Sequence, residues 1–265
     1  MNDAFVEIIA HRGASADAPE NTMAAFRAAW EQGADGIEGD FRLTEDGVIV
    51  CVHDPTMERT SGDPRDVSRT SFREIRSLDV GCWKSSGFAG ESVPTLVEVL
   101  DSIPEGRSIL VEIKSGIEIV PFLLPLLDAS EVPDERITVI SFDDDLLHAV
   151  HRQRPRTRLF LLSSFEKRDV GWSPTVESLI KRAGACGAVG LGVRCEIEVI
   201  DGPFVRRCRA AGLELNLWTV DEPEAARRFV EYGVRSMTTN RPSIIGSECR
   251  GSEGPPSPSR PIRPG

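Results

Sequence analysis

Short apolar runs alternate along this chain with stretches whose apolar residues recur three or four apart. Val6–Ala10 is the first run and reads as a buried strand. Asn21 or Thr22 then opens a helix, with Phe26, Ala29 and Trp30 at helical spacing and Gly33 ending it. Gly36–Thr44 is a second strand, Asp46-Gly47 a tight turn, and Val48–His53 a returning arm. From Asp54 to Arg107 the pattern weakens. Gly, Ser, Asp and Pro are frequent there, with short helices expected near Phe72–Leu78 and Thr95–Ser102. Alternation then resumes, with strands at Ser108–Lys114, Ile137–Phe142, Arg158–Ser163, Ala188–Val193, Leu213–Val220 and Val234–Thr238. Helices fall at Asp144–Arg152, Val176–Ala183 and Pro203–Ala211. A last one starts at Asp221, with Pro223 in its first turn and Glu224 at capping-box spacing.

If Val48–His53 is only the return arm of a hairpin, eight extended runs remain, mostly separated by helices. Eight such units in a chain of this length predict an α/β fold, a TIM (β/α)8 barrel with a small insertion after the second strand. The barrel is expected over residues 1–246, with the insertion at about 54–107. Residues 247–265 are Pro/Ser-rich, lack apolar periodicity and are expected to be a disordered tail.

In such a barrel the chemistry sits at the C-terminal ends of the strands. Strand one ends in His11 and Arg12. Strand two carries Glu38 and Asp40, two apart and so on one side, and its hairpin returns His53. Strand three delivers Glu112 and Lys114, and strand seven delivers Trp218. Three crowded carboxylates would raise one another's pKa, and a hard divalent cation such as Mg²⁺ or Ca²⁺ would relieve them. The bland alternative is a structural network pairing Glu38 and Asp40 with Arg12, Arg42 or Lys114. His11 and His53 suit general acid–base work near neutral pH. Arg12 and Lys114 supply positive charge for a phosphate. His148 and His151, by contrast, read as a solvated helix face.

Several short stretches carry a resemblance. HRG at 11–13, APENT at 18–22, IEGD at 37–40, DGVIVCVHD at 46–54 and RTSG at 59–62 resemble the glycerophosphodiester phosphodiesterase family. So do FAGESVPTLVEVL at 88–100, VEIK at 111–114, ISFD at 140–143, LNLWTVDEPEAARRFVEYGV at 215–234 and TNRP at 239–242. The resemblance implies the same barrel and metal-dependent hydrolysis of a glycerophosphodiester to sn-glycerol 3-phosphate and an alcohol. It implies Glu38, Asp40 and Glu112 as metal ligands, and Trp218 as a wall against the glycerol carbons. Three places depart from the family pattern. Gly39 stands between the two acids where an apolar residue is more usual. Asn240 stands where Asp is common. The stretch 190–199 matches poorly. Alternatives are lysophospholipase D-type hydrolysis, favoured by a hydrophobic mouth around Phe88, Phe142 and Trp218, and a non-catalytic phosphodiester-binding barrel.

Composition adds exclusions. A net charge of −11 and a pI near 5.0 argue against a nucleic-acid partner. No apolar run is long enough to span a bilayer. With no signal peptide visible, a cytoplasmic enzyme is expected. The six cysteines show no metal or disulfide spacing and are expected to be reduced. The expected partner is a small-molecule glycerophosphodiester.

Overall fold

A strand covered on one side by helices and on the other by its own barrel's interior must be apolar on both faces. β1 (Glu7–His11) shows this: Ile8 packs outward under the helices and Ile9 inward. In the computed structural model, which describes residues 6–169 and 171–250, the chain runs on through α1 (Met23–Glu31), β2 (Gly36–Leu43) and β3 (Ile49–Cys51). The insertion carries the short helices α2 (Glu58–Ser61), α3 (Phe72–Arg76) and α4 (Leu96–Asp101). Then follow β4 (Ser108–Ile113), α5 (Val120–Ala129), β5 (Ile137–Ser141), α6 (Asp144–Gln153) and β6 (Arg158–Ser163). A small hairpin of β7 (Glu166–Arg168) and β8 (Gly171–Ser173) precedes α7 (Val176–Cys186), β9 (Gly190–Arg194) and α8 (Gly202–Ala210). The chain closes with β10 (Glu214–Trp218), α9 (Pro223–Tyr232), β11 (Ser236–Thr239) and α10 (Pro242–Arg250).

Eight parallel strands form a closed ring in the order β1, β2, β4, β5, β6, β9, β10, β11, with β11 pairing back to β1. This is the expected TIM barrel. β3 pairs antiparallel with the far end of β2, as a hairpin return. The ring's interior is filled by Ile9, Leu110, Ile140, Phe160 and Leu162, with Trp218 above them. β9 is glycine-broken for a reason of space. A Cβ at Gly190 would lie 2.4 Å from the Phe160 ring, and one at Gly192 would lie 2.5 Å from Leu162. The insertion buries its own small cluster, Met57, Val67, Ile75, Val80 and Val93, against Val50 of β3 and Val52 just after it.

The structure revises four local expectations. α5 was not expected: its apolar run VPFLLPLLDA holds Pro121 in the first turn and Pro125 inside, which hides the helical period. Asp221 does not cap α9. Glu222 occupies that position, without a side-chain cap bond. His148 is exposed, but His151 is half-buried and packs on Gly187. α10 continues to Arg250, past the expected boundary at 246, and the rest of the expected tail lies outside the described residues. Gly39 is closely packed: a Cβ there would lie 3.2–3.3 Å from Cys51, Phe26 and Phe41. All six cysteines are free thiols. Among the described residues, no helix is long and apolar enough to cross a membrane.

Candidate active site

Register brings the expected residues to one end of the barrel. β1 and β2 set His11 beside Glu38, and β2 and β4 set Asp40 beside Glu112. Glu38 and Asp40 share a side of β2 by pleat alternation. His53 follows β3, which is anchored where the Val52 amide donates to the Asp40 carbonyl at 2.8 Å. A cavity of about 170 Å³ is lined by His11, Arg12, Glu38, His53, Glu112, Lys114 and Trp218. Its opposite wall is apolar, made by Ile140, Phe142 and Leu162, with Asn216 and Thr238 also lining it. Trp218 meets Phe142 edge-on with ring centroids 5.8 Å apart. Phe88, expected at this mouth, is not part of the lining. Trp83 of the insertion instead lines a second cleft of about 370 Å³. That cleft also contains His11, Arg12, Lys84 and Arg241.

Asp40 is fully buried behind the cavity and held from three directions. Arg12 Nε is 3.0 Å from its Oδ2, Asn21 Nδ2 donates to Oδ2 at 2.9 Å, and Lys114 Nζ is 3.2 Å from Oδ1. The turn after β1 aims the clamp. Arg12 and Asn21 both hold left-handed backbone (φ 56° and 58°), a conformation non-glycine residues adopt only when their surroundings enforce it. Gly13 follows at φ 80°, and a Cβ there would sit 2.5 Å from the Ala25 backbone. The Arg12 amide donates to Glu38 Oε2 at 2.9 Å. Thr22, not Asn21, caps α1, accepting from the Ala25 amide. Arg42 pairs with none of the three acids. Its guanidinium donates to the carbonyls of His53 and Lys114 and so ties the two loops together.

Each histidine has its own support. His53 Nδ1 lies 2.7 Å from Asp54 Oδ1, and Arg59 bridges Asp54 and Glu20, which in turn accepts from Arg12. His11 Nδ1 lies 2.8 Å from Asn240 Oδ1. Sequence reasoning passed over the supporting roles of Arg59, Asp54, Asp221 and Ser15. The RTSG and HD stretches were local hints to the first two. Nothing local points to Asp221 or Ser15.

The comparisons with known proteins decide the family. The family model described as "Glycerophosphoryl diester phosphodiesterase family" matches residues 11–244. The chain belongs to the glycerophosphoryl diester phosphodiesterase family. It is 34% identical to a glycerophosphodiester phosphodiesterase of Caldanaerobacter subterraneus subsp. tengcongensis, over 90% of this chain and 95% of that protein. It is 28% identical to one of Bacillus subtilis, over 92% and 86%. Among solved structures, an Oleispira antarctica phosphodiesterase in complex with the product sn-glycerol-3-phosphate superposes with a TM-score of 0.83 at 25% identity. That match covers 92% of this chain and 97% of that one.

In this phosphodiesterase the acids do not share one electrostatic state. Burial pushes Glu38 well above the usual carboxylate range, and the charges of Asp40 and Glu112 add to the push. Burial and then Asp40 push Glu112 up to about 7. Asp40 goes the other way: burial opposes its charge, but Arg12 and Lys114 hold it below the usual range. Burial lowers His11, and the Arg12 charge adds to that. Oxygens of Glu38, Asp40 and Glu112 all lie within 4.8 Å of one another. Glu38 Oε1 is buried without a hydrogen-bond partner, and Asp40 Oδ1 meets only the Lys114 ammonium. Buried carboxylate oxygens left in this condition fit a divalent cation.

Proposed function

We propose that this phosphodiesterase hydrolyses glycerophosphodiesters to sn-glycerol 3-phosphate and an alcohol, with His11 and His53 as the acid–base pair. The reading is carried by one juxtaposition: two histidines, Glu38 and Glu112 line a single cavity with Arg12 and Lys114, and Asp40 lies directly behind them. Glu38, Asp40 and Glu112 would hold the cation, Mg²⁺ or Ca²⁺, each of which prefers oxygen ligands. When bound, it would supply positive charge to a phosphate oxygen. Arg12 and Lys114 offset the charge that builds on the phosphoryl oxygens. One histidine takes the proton of the attacking oxygen, and the other delivers a proton to the departing alkoxide. Trp218 and Phe142 pack against the carbons of the glycerol arm. A diester has two arms, and two clefts meeting at His11 and Arg12 give each arm a place.

Turnover of glycerophosphocholine tests this, with released sn-glycerol 3-phosphate followed by a coupled dehydrogenase. Turnover should require Mg²⁺ or Ca²⁺ and stop with EDTA. His11→Ala and His53→Ala should each lower kcat by roughly 10²-fold or more. Near-normal turnover in either variant rejects the pair. The apolar wall of Ile140, Phe142, Leu162 and Trp218 favours one second reading, lysophospholipase D-type hydrolysis. Lysophosphatidylcholine in the same assay tests it, and a higher kcat/KM for that substrate would make it the primary activity.

A further inference from the structure

We infer that Asn240 is the positioning residue of His11, and that Asp221 sets the direction in which it works. The inference rests on the proposed role of His11. Asn240 lies one residue beyond β11, and Asp221 lies three beyond neighbouring β10. An ionised carboxylate only accepts hydrogen bonds. Asp221 Oδ1 accepts from Thr239 Oγ1 and from the Asn240 amide N–H, both at 2.8 Å, and Oδ2 accepts from Asn240 Nδ2 at 2.5 Å. Those bonds orient the Asn240 side chain: its NH₂ must face Asp221, so its oxygen must face His11. That oxygen accepts from Ser15 Oγ at 2.7 Å and lies 2.8 Å from His11 Nδ1.

An amide oxygen cannot donate. The proton of neutral His11 therefore resides on Nδ1, and Nε2 keeps its lone pair. The contact of backbone-held Asp221 with Asn240 thus decides which ring nitrogen can act. When Nε2 takes a proton from the attacking oxygen, the ring becomes imidazolium and the Nδ1 proton stays on its bond to Asn240. The same bond fixes the ring plane, the service a carboxylate or carbonyl gives a ligating or catalytic histidine elsewhere.

Long-range ¹H–¹⁵N correlation of the protein with ¹⁵N-labelled histidine rings reads the tautomer without any substrate. At a pH where the ring is neutral, His11, assigned by its loss in His11→Gln, should show the Nδ1–H pattern. Asn240→Ala should turn it to Nε2–H, the form a free side chain prefers. An Nε2–H ring in the unaltered protein, or an Nδ1–H ring that survives Asn240→Ala, overturns the inference. Kinetics supply the second arm. Asn240→Asp alone sets a second carboxylate against Asp221 and should lower kcat by about 10- to 100-fold, with KM little changed. Adding Asp221→Asn restores the order of donors and acceptors and should recover most of that loss. A double variant that melts like the unaltered protein yet is no faster than Asn240→Asp also overturns the inference. Near-normal turnover in His11→Ala with the tautomer result intact would sink the catalytic reading instead, so the two failures are distinguishable.

Discussion

The two ends of the barrel both carry charged cavities, yet they are built on opposite principles. At the N-terminal end a cavity of about 370 Å³ holds Glu7, Glu135, Arg136, Arg158, Glu214 and Arg235. There Glu7 and Glu214 each meet an arginine. Arg235 reaches Glu7 at 2.8 Å and Glu214 at 3.2 Å, and Arg158 reaches Glu214 at 2.7 Å. At the C-terminal end the cavity is smaller, about 170 Å³, but its acids crowd against one another. There Glu38 Oε1 is buried without a hydrogen-bond partner. Size does not separate the two ends, since the cleft beside Trp83 at the C-terminal end is also about 370 Å³. The informative end is the one where the fold leaves charge unbalanced and buried.

Glu38→Gln gives the largest expected contrast between the ends. It keeps the volume and removes one charge from the acid trio. It should lower kcat/KM by on the order of 10²-fold or more, since even outer-shell changes at metal sites reach that range. Glu214→Gln at the other end should leave kcat/KM within about twofold of the unaltered enzyme, because the chemistry of these barrels lies at the opposite face. Steady-state kinetics on glycerophosphocholine measures both. Equal losses would erase the distinction between the ends.

The legibility of the two ends followed from distance along the chain. Glu38 and Asp40, like Glu112 and Lys114, could be read because residues two apart in a strand must share a side. The barrel itself was legible from its repeated period. What escaped was non-local or masked. Asn240 meets His11 across 229 positions, and nothing in TNRP announces that contact. Asp221, just before Glu222 and Pro223, carries the local signature of a helix start. The β10–β11 pairing instead brings Thr239 and Asn240 to its carboxylate, and that wins. α5 was hidden by two prolines in an apolar run, where neither period shows. Within 190–199, Gly190 and Gly192 make room for Phe160 and Leu162, a steric demand that only the closed ring reveals.

The crowding at the C-terminal end also predicts a pH dependence that the paired end lacks. Glu112 is pushed up to about 7 and Glu38 well above its usual range, so in the metal-free protein protons would compete with the proposed cation for these oxygens. Above about 7 Glu112 is ionised and the cation displaces less. As pH falls below that point each bound cation must release a proton, and apparent affinity should weaken by about tenfold per pH unit per proton displaced. Calorimetric titration of the protein with Mg²⁺ or Ca²⁺ in buffers of different ionisation heat, on both sides of pH 7, counts those protons directly. An affinity independent of pH across that range would show that the acids are already ionised and that the crowding is relieved some other way.

Arg235→Ala gives the smallest expected effect, and for that reason it sharpens the comparison most. Arg235 is about half exposed, with a side-chain accessibility of 45%, so its ion pairs are screened by water. Removing it leaves Glu214 still paired with Arg158, and leaves Glu7 at the cavity with access to solvent. No carboxylate is stranded, whereas loss of Arg12 would take one of two cationic partners from the fully buried Asp40. The expected loss in unfolding free energy is below about 1 kcal/mol, with kcat unchanged. Denaturant unfolding and steady-state kinetics on the same preparation test both halves. A fall in kcat without a fall in stability would mean that the N-terminal end communicates with the site through the barrel strands, and the division of labour between the two ends would have to be abandoned.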